Sequence, residues 1–74
     1  MWVLKYYNKA MLKLYEMGEG ATEDEVRNIL QSWIEDEYYA RDIESFSETE
    51  CGESWTVICI DNEIFVIGEK DMSA

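Results

Sequence analysis

Apolar side chains recur at helical spacing in the middle of the chain. Thr22 is a good N-cap residue, and Glu25 three positions later completes a capping-box signature. The acidic residues 23–25 fill the first turn, where the helix dipole favours negative charge. These features predict a helix over about residues 22–39 with one apolar face that packs on a sheet. The residues of that face are Val26, Ile29, Leu30, Trp33, Ile34 and Tyr38.

Two runs near the C-terminal end are typical of paired β-strands. Residues 55–60 and 64–67 are rich in β-branched and aromatic side chains, and Asp61 and Asn62 between them tolerate turn geometry. Both faces of these strands are apolar, which predicts a central position in the sheet. The preceding stretch "ARDIESFSETE" predicts a weaker, more polar strand, followed by a connecting turn at "ECGES".

The N-terminal segment fits two structures. In a helix, residues 3, 7, 10, 14 and 17 share one face. In a hairpin, "WVLKYY" and "MLKLYEM" flank the loop "NKA", and the apolar alternation separates cleanly. The hairpin is preferred, and it makes Lys5 and Lys13 cross-strand neighbours. Its two predicted faces are Trp2, Leu4, Tyr6, Leu12 and Leu14 on one side, and Val3, Lys5, Tyr7, Met11, Lys13 and Tyr15 on the other.

These elements predict a single small α+β domain spanning residues 1–74. Its order is ββαβββ, with one helix packed on a small antiparallel sheet. The alternative, with a helical first segment, is ααβββ. A chain of 74 residues buries only about 60% of its unfolded surface, so its stability should be modest.

Charge is both large and unevenly placed. The net charge is −11, from 17 acidic and 6 basic residues with no histidine. Lys5, Lys9 and Lys13 all precede the first acid, Glu16, and the remainder of the chain is strongly acidic. Such a charge should repel nucleic acid and anionic membranes and favour basic protein partners.

The acids are densest between Trp33 and Glu53. Glu35, Asp36 and Glu37 end the predicted helix, where the dipole prefers bases. In an extended strand, side chains two residues apart lie on the same face, about 6.6 Å from one another. Asp42, Glu44 and Glu48 would therefore share one face. Aromatic side chains beside them are of the type enriched in interface cores. The predicted partner-binding residues are Glu35, Asp36, Glu37, Tyr38, Tyr39, Asp42, Glu44, Phe46, Glu48, Glu50 and Glu53.

Catalytic and metal-binding signatures are absent from the sequence. There is no histidine, no nucleophile with a matching base, and no glycine-rich phosphate loop, so neither an enzyme nor a cofactor is predicted. Cys51 and Cys59 match no zinc or redox spacing, and the sequence leaves open whether they form a disulfide; they are expected to be a loop thiol and a small core residue. The first residues lack the pattern of a signal peptide, and no stretch approaches a membrane span, so a cytoplasmic protein is expected.

In size and in the acid stretch from Glu35 to Glu53, the chain resembles small phage-encoded inhibitors of bacterial defence, the anti-CRISPR and DNA-mimic proteins. The resemblance implies a protein in the host-cell cytoplasm that occupies the basic groove of a CRISPR effector complex or another nucleic-acid-binding protein. It assigns no role to any single residue. The alternative function is a homo-oligomeric structural or regulatory module that dimerises through its basic N-terminal segment.

Overall fold

The computed structural model describes residues 1–52 and 54–69. It has the predicted order ββαβββ and confirms the α+β class. The N-terminal segment is a hairpin, so the helical alternative is wrong. The elements are β1 (Trp2–Asn8), β2 (Lys13–Gly20), α1 (Glu23–Glu37), β3 (Phe46–Cys51), β4 (Trp55–Ile60) and β5 (Glu63–Glu69).

The strands form one antiparallel sheet in the order β2-β1-β5-β4-β3. The apolar strands β4 and β5 both lie inside the sheet, as predicted, and β5 is its centre. The chain reverses between them at Asp61 and Asn62, where Asp61 has a positive φ of 53°. Aspartate and asparagine tolerate this backbone region better than most residues, which explains why the turn could be located from sequence.

The capping box at the start of α1 is present. The Glu25 backbone N–H donates to Thr22 Oγ1 at 3.3 Å, and the Ala21 backbone N–H donates to Glu25 Oε2 at 2.6 Å. The helix ends at Glu37, two residues earlier than predicted, because Tyr38 leaves helical backbone angles (φ −108°, ψ 26°). The Tyr38 N–H still donates to the Ile34 carbonyl oxygen at 2.9 Å.

The hydrophobic core lies between α1 and one face of the sheet. Val26 and Leu30 are its buried helical members, and Ile29, Trp33 and Ile34 pack against it while partly buried. The helix backbone lies over β1, β2 and β5 and not over β3 or β4. The buried cluster is Leu4, Val26, Leu30, Ile58, Ile60, Phe65 and Ile67.

The predicted register of the N-terminal hairpin is wrong. The connecting loop spans residues 9–12 and places Leu12 at a φ of 53°, so β2 begins only at Lys13. Lys5 therefore pairs with Glu16, and Lys13 pairs with Asn8. Because loop length fixes the register of a hairpin, a longer loop moves the side chains of β2 to opposite faces.

The two faces of β2 are consequently exchanged relative to the prediction. Leu14 lies with Tyr7 on the face away from α1, and Tyr15 lies with Tyr6 on the helix side. The register also shifts opposite Leu4 and Lys5, which leaves Met17 without a partner in β1. Met17 packs against the core instead.

The strand predicted within "ARDIESFSETE" begins later than expected. Residues 42–45 carry no regular structure, and β3 starts at Phe46. All six residues of β3 are exposed. Asp42 and Glu44 therefore lie in the connector that joins α1 to β3, and the strand alternation that would align them with Glu48 does not apply.

Candidate functional site

The end of α1 presents three adjacent carboxylates to solvent. Glu35, Asp36 and Glu37 are all exposed, and the last turn of the helix contains no basic residue. Tyr38 is half-buried, whereas Tyr39 exposes 91% of its surface. This turn therefore combines negative charge with a fully accessible aromatic ring.

The positive charge that the dipole favours at the C-terminal end of α1 is supplied by Arg41, which follows the helix. The Arg41 guanidinium lies 4.5 Å from the centre of the Tyr38 ring. Its Nε donates to the Glu37 carbonyl oxygen at 3.4 Å. A cation placed on the last carbonyl groups offsets part of the unfavourable arrangement at this helix end. Arg41 thus has a structural role amid the acids.

Asp61 holds the connector in place. Its Oδ1 accepts the backbone N–H groups of Glu44 and Ser45, both at 2.9 Å, and its Oδ2 accepts the Tyr38 hydroxyl at 2.7 Å. The Asp61 N–H in turn donates to the Ser45 carbonyl oxygen at 2.9 Å. The hydrogen bond from Tyr38, then that from Ser45, lower the pKa of the Asp61 carboxyl.

This role of Asp61 was missed by sequence reasoning, which assigned the residue to a turn alone. Its position beside Asn62 explains the turn, but its acceptor oxygens face residues 16 or more positions away in the chain. No local pattern signals such a contact. A depression of about 540 Å³ at this point is lined by Arg41, Asp42, Glu44, Asp61 and Asn62.

Glu48 is engaged within the molecule. Arg27 Nη1 and Nη2 donate to its two carboxylate oxygens at 3.1 and 3.3 Å, while Arg27 Nε donates to Glu23 at 2.6 Å. The contact between Arg27 and Glu23 is the i,i+4 pair that helical spacing favours. The hydrogen bonds from Arg27 lower the pKa of Glu48. Glu48 therefore ties β3 to α1.

The remaining predicted residues are distributed over different parts of the surface. Phe46 exposes 57% of its surface and lines a groove of about 280 Å³ together with Leu30 and Ile34. Glu50 lies toward the opposite end of the sheet, in a small depression shared with Glu23. Glu53 lies outside the described residues.

The described acids of the predicted set thus fall into two groups, those of the last turn of α1 and the connector and those of β3. We define the acidic surface as the five exposed carboxylates of the last turn of α1 and of the connector. None of these five side chains makes an ion pair with a base in residues 1–52 or 54–69. Tyr39 and Ile43 are exposed apolar side chains in the same stretch of chain. The members of the acidic surface are Glu35, Asp36, Glu37, Asp42 and Glu44.

Both cysteines are free thiols. Cys51 is the exposed last residue of β3, so the expectation of a loop thiol was wrong. Cys59 is half-buried and lies outside the buried core cluster. Within the described part of the chain, no three acidic or cysteine side chains are grouped to hold a metal ion.

Over the same residues, α1 falls short of the length and apolar character needed to cross a membrane. Comparison with protein-family models, curated proteins and solved structures gives no match for this chain.

Proposed function

We propose that this chain is a non-enzymatic inhibitor that occupies the basic groove of a nucleic-acid-binding defence complex, as anti-CRISPR proteins do. The observation that carries the proposal is the acidic surface, whose five carboxylates are exposed and form no ion pair with described bases. Carboxylates that form no ion pair among the described residues remain available to lysine and arginine side chains of a partner.

The composition of this surface supports a protein partner. Complementary charge steers association and sets its salt dependence, while buried aromatic side chains contribute most of the affinity. Tyr39 and Phe46, at 91% and 57% exposure, are the accessible rings on either side of the connector. The hydrogen bonds to Asp61 hold the connector backbone between them, which reduces the ordering cost of binding.

The test uses purified CRISPR effector complexes of several types, loaded with guide RNA. We expect one of them to bind the chain with an affinity that falls steeply with salt, and to lose DNA binding as a result. The triple variant Asp36→Asn, Asp42→Asn, Glu44→Gln should weaken binding at least tenfold, since each close charge pair contributes on the order of 1 kcal/mol or more.

A matched control keeps the same net charge. The variant Glu16→Gln, Asp24→Asn, Glu69→Gln also neutralises three exposed acids, but outside the acidic surface. Equal losses in the two variants would show that only total charge matters. Absence of binding to every effector complex would reject the inhibitor function.

A second candidate, the homo-oligomeric module, is favoured by the face of the sheet opposite α1. No described element covers this face, yet strand pairing places mainly apolar side chains on it. Sheets with one solvated face normally alternate apolar and polar residues, and β4 and β5 do not. The side chains on this open face include Tyr7, Leu14, Trp55, Val57, Ile64 and Val66.

The open face also has little net charge near its centre. Lys5 pairs with Glu16 across β1 and β2, and its Nζ lies 5.7 Å from the centre of the Trp55 ring. Two copies could therefore meet face to face with their acidic surfaces kept apart. Lys5 and Lys13 lie on opposite faces of the hairpin, so dimerisation through a continuous lysine surface is not supported.

Sedimentation velocity at high micromolar concentration tests this candidate. We expect a dimer whose stability increases with salt, because screening reduces repulsion between two chains of charge −11. Val66→Lys, on the open face, should abolish the dimer, whereas Gln31→Lys, on the exposed side of α1, should leave it intact. A monomer at all salt concentrations would exclude the module.

A further inference from the structure

A cleft separates the C-terminal half of α1 from the β1–β2 hairpin. Its volume is about 580 Å³, within the range of about 300–1,000 Å³ that ligand pockets occupy. None of the sequence patterns predicted it, because its walls come from four elements and depend on the corrected register of β2. We call it the aromatic cleft; it is lined by Tyr6, Asn8, Met11, Tyr15, Met17, Trp33, Glu37 and Glu63.

Two of the three aromatic walls, Tyr6 and Trp33, are fixed by packing on the core. The Trp33 ring contacts the buried Phe65 ring edge-on, with centres 4.7 Å apart, and the Tyr6 ring lies 5.5 Å from the same ring. The Tyr6 hydroxyl donates to Glu63 Oε2 at 2.5 Å. That hydrogen bond raises the pKa of the Tyr6 hydroxyl. The Tyr6, Trp33 and Glu63 walls of the cleft are therefore formed before any ligand arrives.

The cleft has the chemistry of a cation site. Aromatic faces attract cations, and the polarisable thioethers of Met11 and Met17 adapt to planar groups. Two carboxylates, Glu37 and Glu63, lie at its wall and would repel an anion. The Lys13 ammonium already lies 5.6 Å from the centre of the Tyr15 ring, which shows that this ring accepts a positive charge.

We propose that the aromatic cleft binds an arginine side chain of a protein partner. A guanidinium group can stack on an aromatic ring and pair in the plane with a carboxylate at the same time, whereas a lysine ammonium is a compact, strongly hydrated charge. The proposal rests on the proposed function only in that the arginine would belong to the basic partner. Glu37 belongs both to the cleft and to the acidic surface, so one residue connects the two.

The test is an NMR titration of the intact chain with N-acetyl-arginine N-methylamide, which carries only the guanidinium charge. We expect saturable shifts of the Trp33 indole N–H and of the Tyr6 and Tyr15 signals. The citrulline analogue has a similar shape without the charge and should cause no such shifts. The lysine analogue should bind several-fold more weakly, because it does not stack.

Two pairs of variants locate the site. Glu37→Gln should weaken arginine binding about threefold to tenfold, and Glu35→Gln, with the same charge change on the same helical turn, should have little effect. Lys13→Gln removes the resident cation from the Tyr15 ring and should strengthen binding, while Lys9→Gln, in the exposed loop, should not.

Shifts confined to the acidic surface, equal binding of citrulline, or equal effects of Glu35→Gln and Glu37→Gln would overturn the cleft proposal. Equal binding of lysine would overturn the assignment to a guanidinium. Arginine binding without binding of any effector complex would leave the cleft standing and reject the inhibitor function. An effector complex that binds equally to Glu37→Gln and the unmodified chain would place its arginine elsewhere.

Discussion

The two edges of the sheet are attached to the helix in different ways. At the β2 edge, a Cβ atom added at Gly18 would lie 2.6 Å from Ile29 Cδ1, so α1 packs directly on the strand backbone. At the β3 edge all six residues are exposed, and α1 reaches the strand through the ion pair of Arg27 with Glu48. Apolar packing thus secures one edge and polar contacts secure the other.

This difference separates the two candidate surfaces. The aromatic cleft lies on the apolar side of α1, where its Tyr6 and Trp33 rings rest on Phe65. The acidic surface continues from the helix end into a connector that is held by hydrogen bonds to Asp61. Regions with few buried apolar contacts open at lower free energy than the core. The connector and β3 should therefore respond to pH and salt while the cleft remains formed.

The largest expected effect comes from the core beneath the cleft. Phe65→Ala should lower the free energy of unfolding by about 3–5 kcal/mol, because it removes a buried ring. Phe46→Ala, on β3, should cost less than about 1 kcal/mol because that ring is mostly exposed. Urea unfolding followed by circular dichroism measures both. Similar losses of unfolding free energy at the two positions would contradict the distinction between the packed core beneath the cleft and the exposed β3 edge.

A local effect is expected at the connector. Asp61→Gly removes the acceptor of the Glu44 and Ser45 amides but leaves the turn unstrained, because glycine adopts positive φ readily. Amide hydrogen exchange should become faster at these two residues and stay unchanged in β1. Asp61→Asn keeps an acceptor oxygen and serves as the control, with exchange close to that of the unmodified chain. Unchanged protection in Asp61→Gly would mean that other contacts hold the connector.

The smallest effect is expected from the ion pair at β3. The pKa of Glu48 is lowered in the folded state, so its contribution is complete above the ordinary glutamate pKa of about 4.3 and is lost as the pH falls through the lowered pKa. Both side chains are about a third exposed, which limits the contribution to less than about 1 kcal/mol.

Urea unfolding of Glu48→Gln and of the unmodified chain between pH 2 and 7 measures this contribution. The difference in free energy of unfolding between the two proteins should be present at neutral pH and disappear in acid. Glu50→Gln, on the same face of β3 but without an ion pair to a described base, is the matched control. A constant difference at every pH would assign the effect of Glu48→Gln to packing.

Elements with strong local patterns were predictable. The capping residues Thr22 and Glu25 define the start of α1, and the turn at Asp61 and Asn62 defines the β4–β5 hairpin. The register of β2 was not predictable because it depends on Leu12 adopting a positive φ and on a shift opposite Leu4 and Lys5. Leucine rarely adopts a positive φ, so the residue type at position 12 did not indicate it. The register shift likewise has no recognisable sequence pattern.

The candidate site was predictable only in part. The sequence located the acids of the helix end and the connector, but it also grouped Glu48 and Glu50 with them. Glu48 is instead paired with Arg27, and Glu50 lies toward the other end of the sheet. In addition, β3 begins at Phe46, so the strand spacing assumed for Asp42 and Glu44 does not exist.

By itself the sequence determined the order of the elements, the apolar face of α1 and the large negative charge, because each follows from residue type and local spacing. Only the tertiary structure decided that Glu48 is paired, since that depends on where the Arg27 side chain reaches. It also created the aromatic cleft, whose Tyr6, Tyr15 and Trp33 come from three different elements. Contacts between residues far apart in the chain are set by packing and register, and no local pattern contains them.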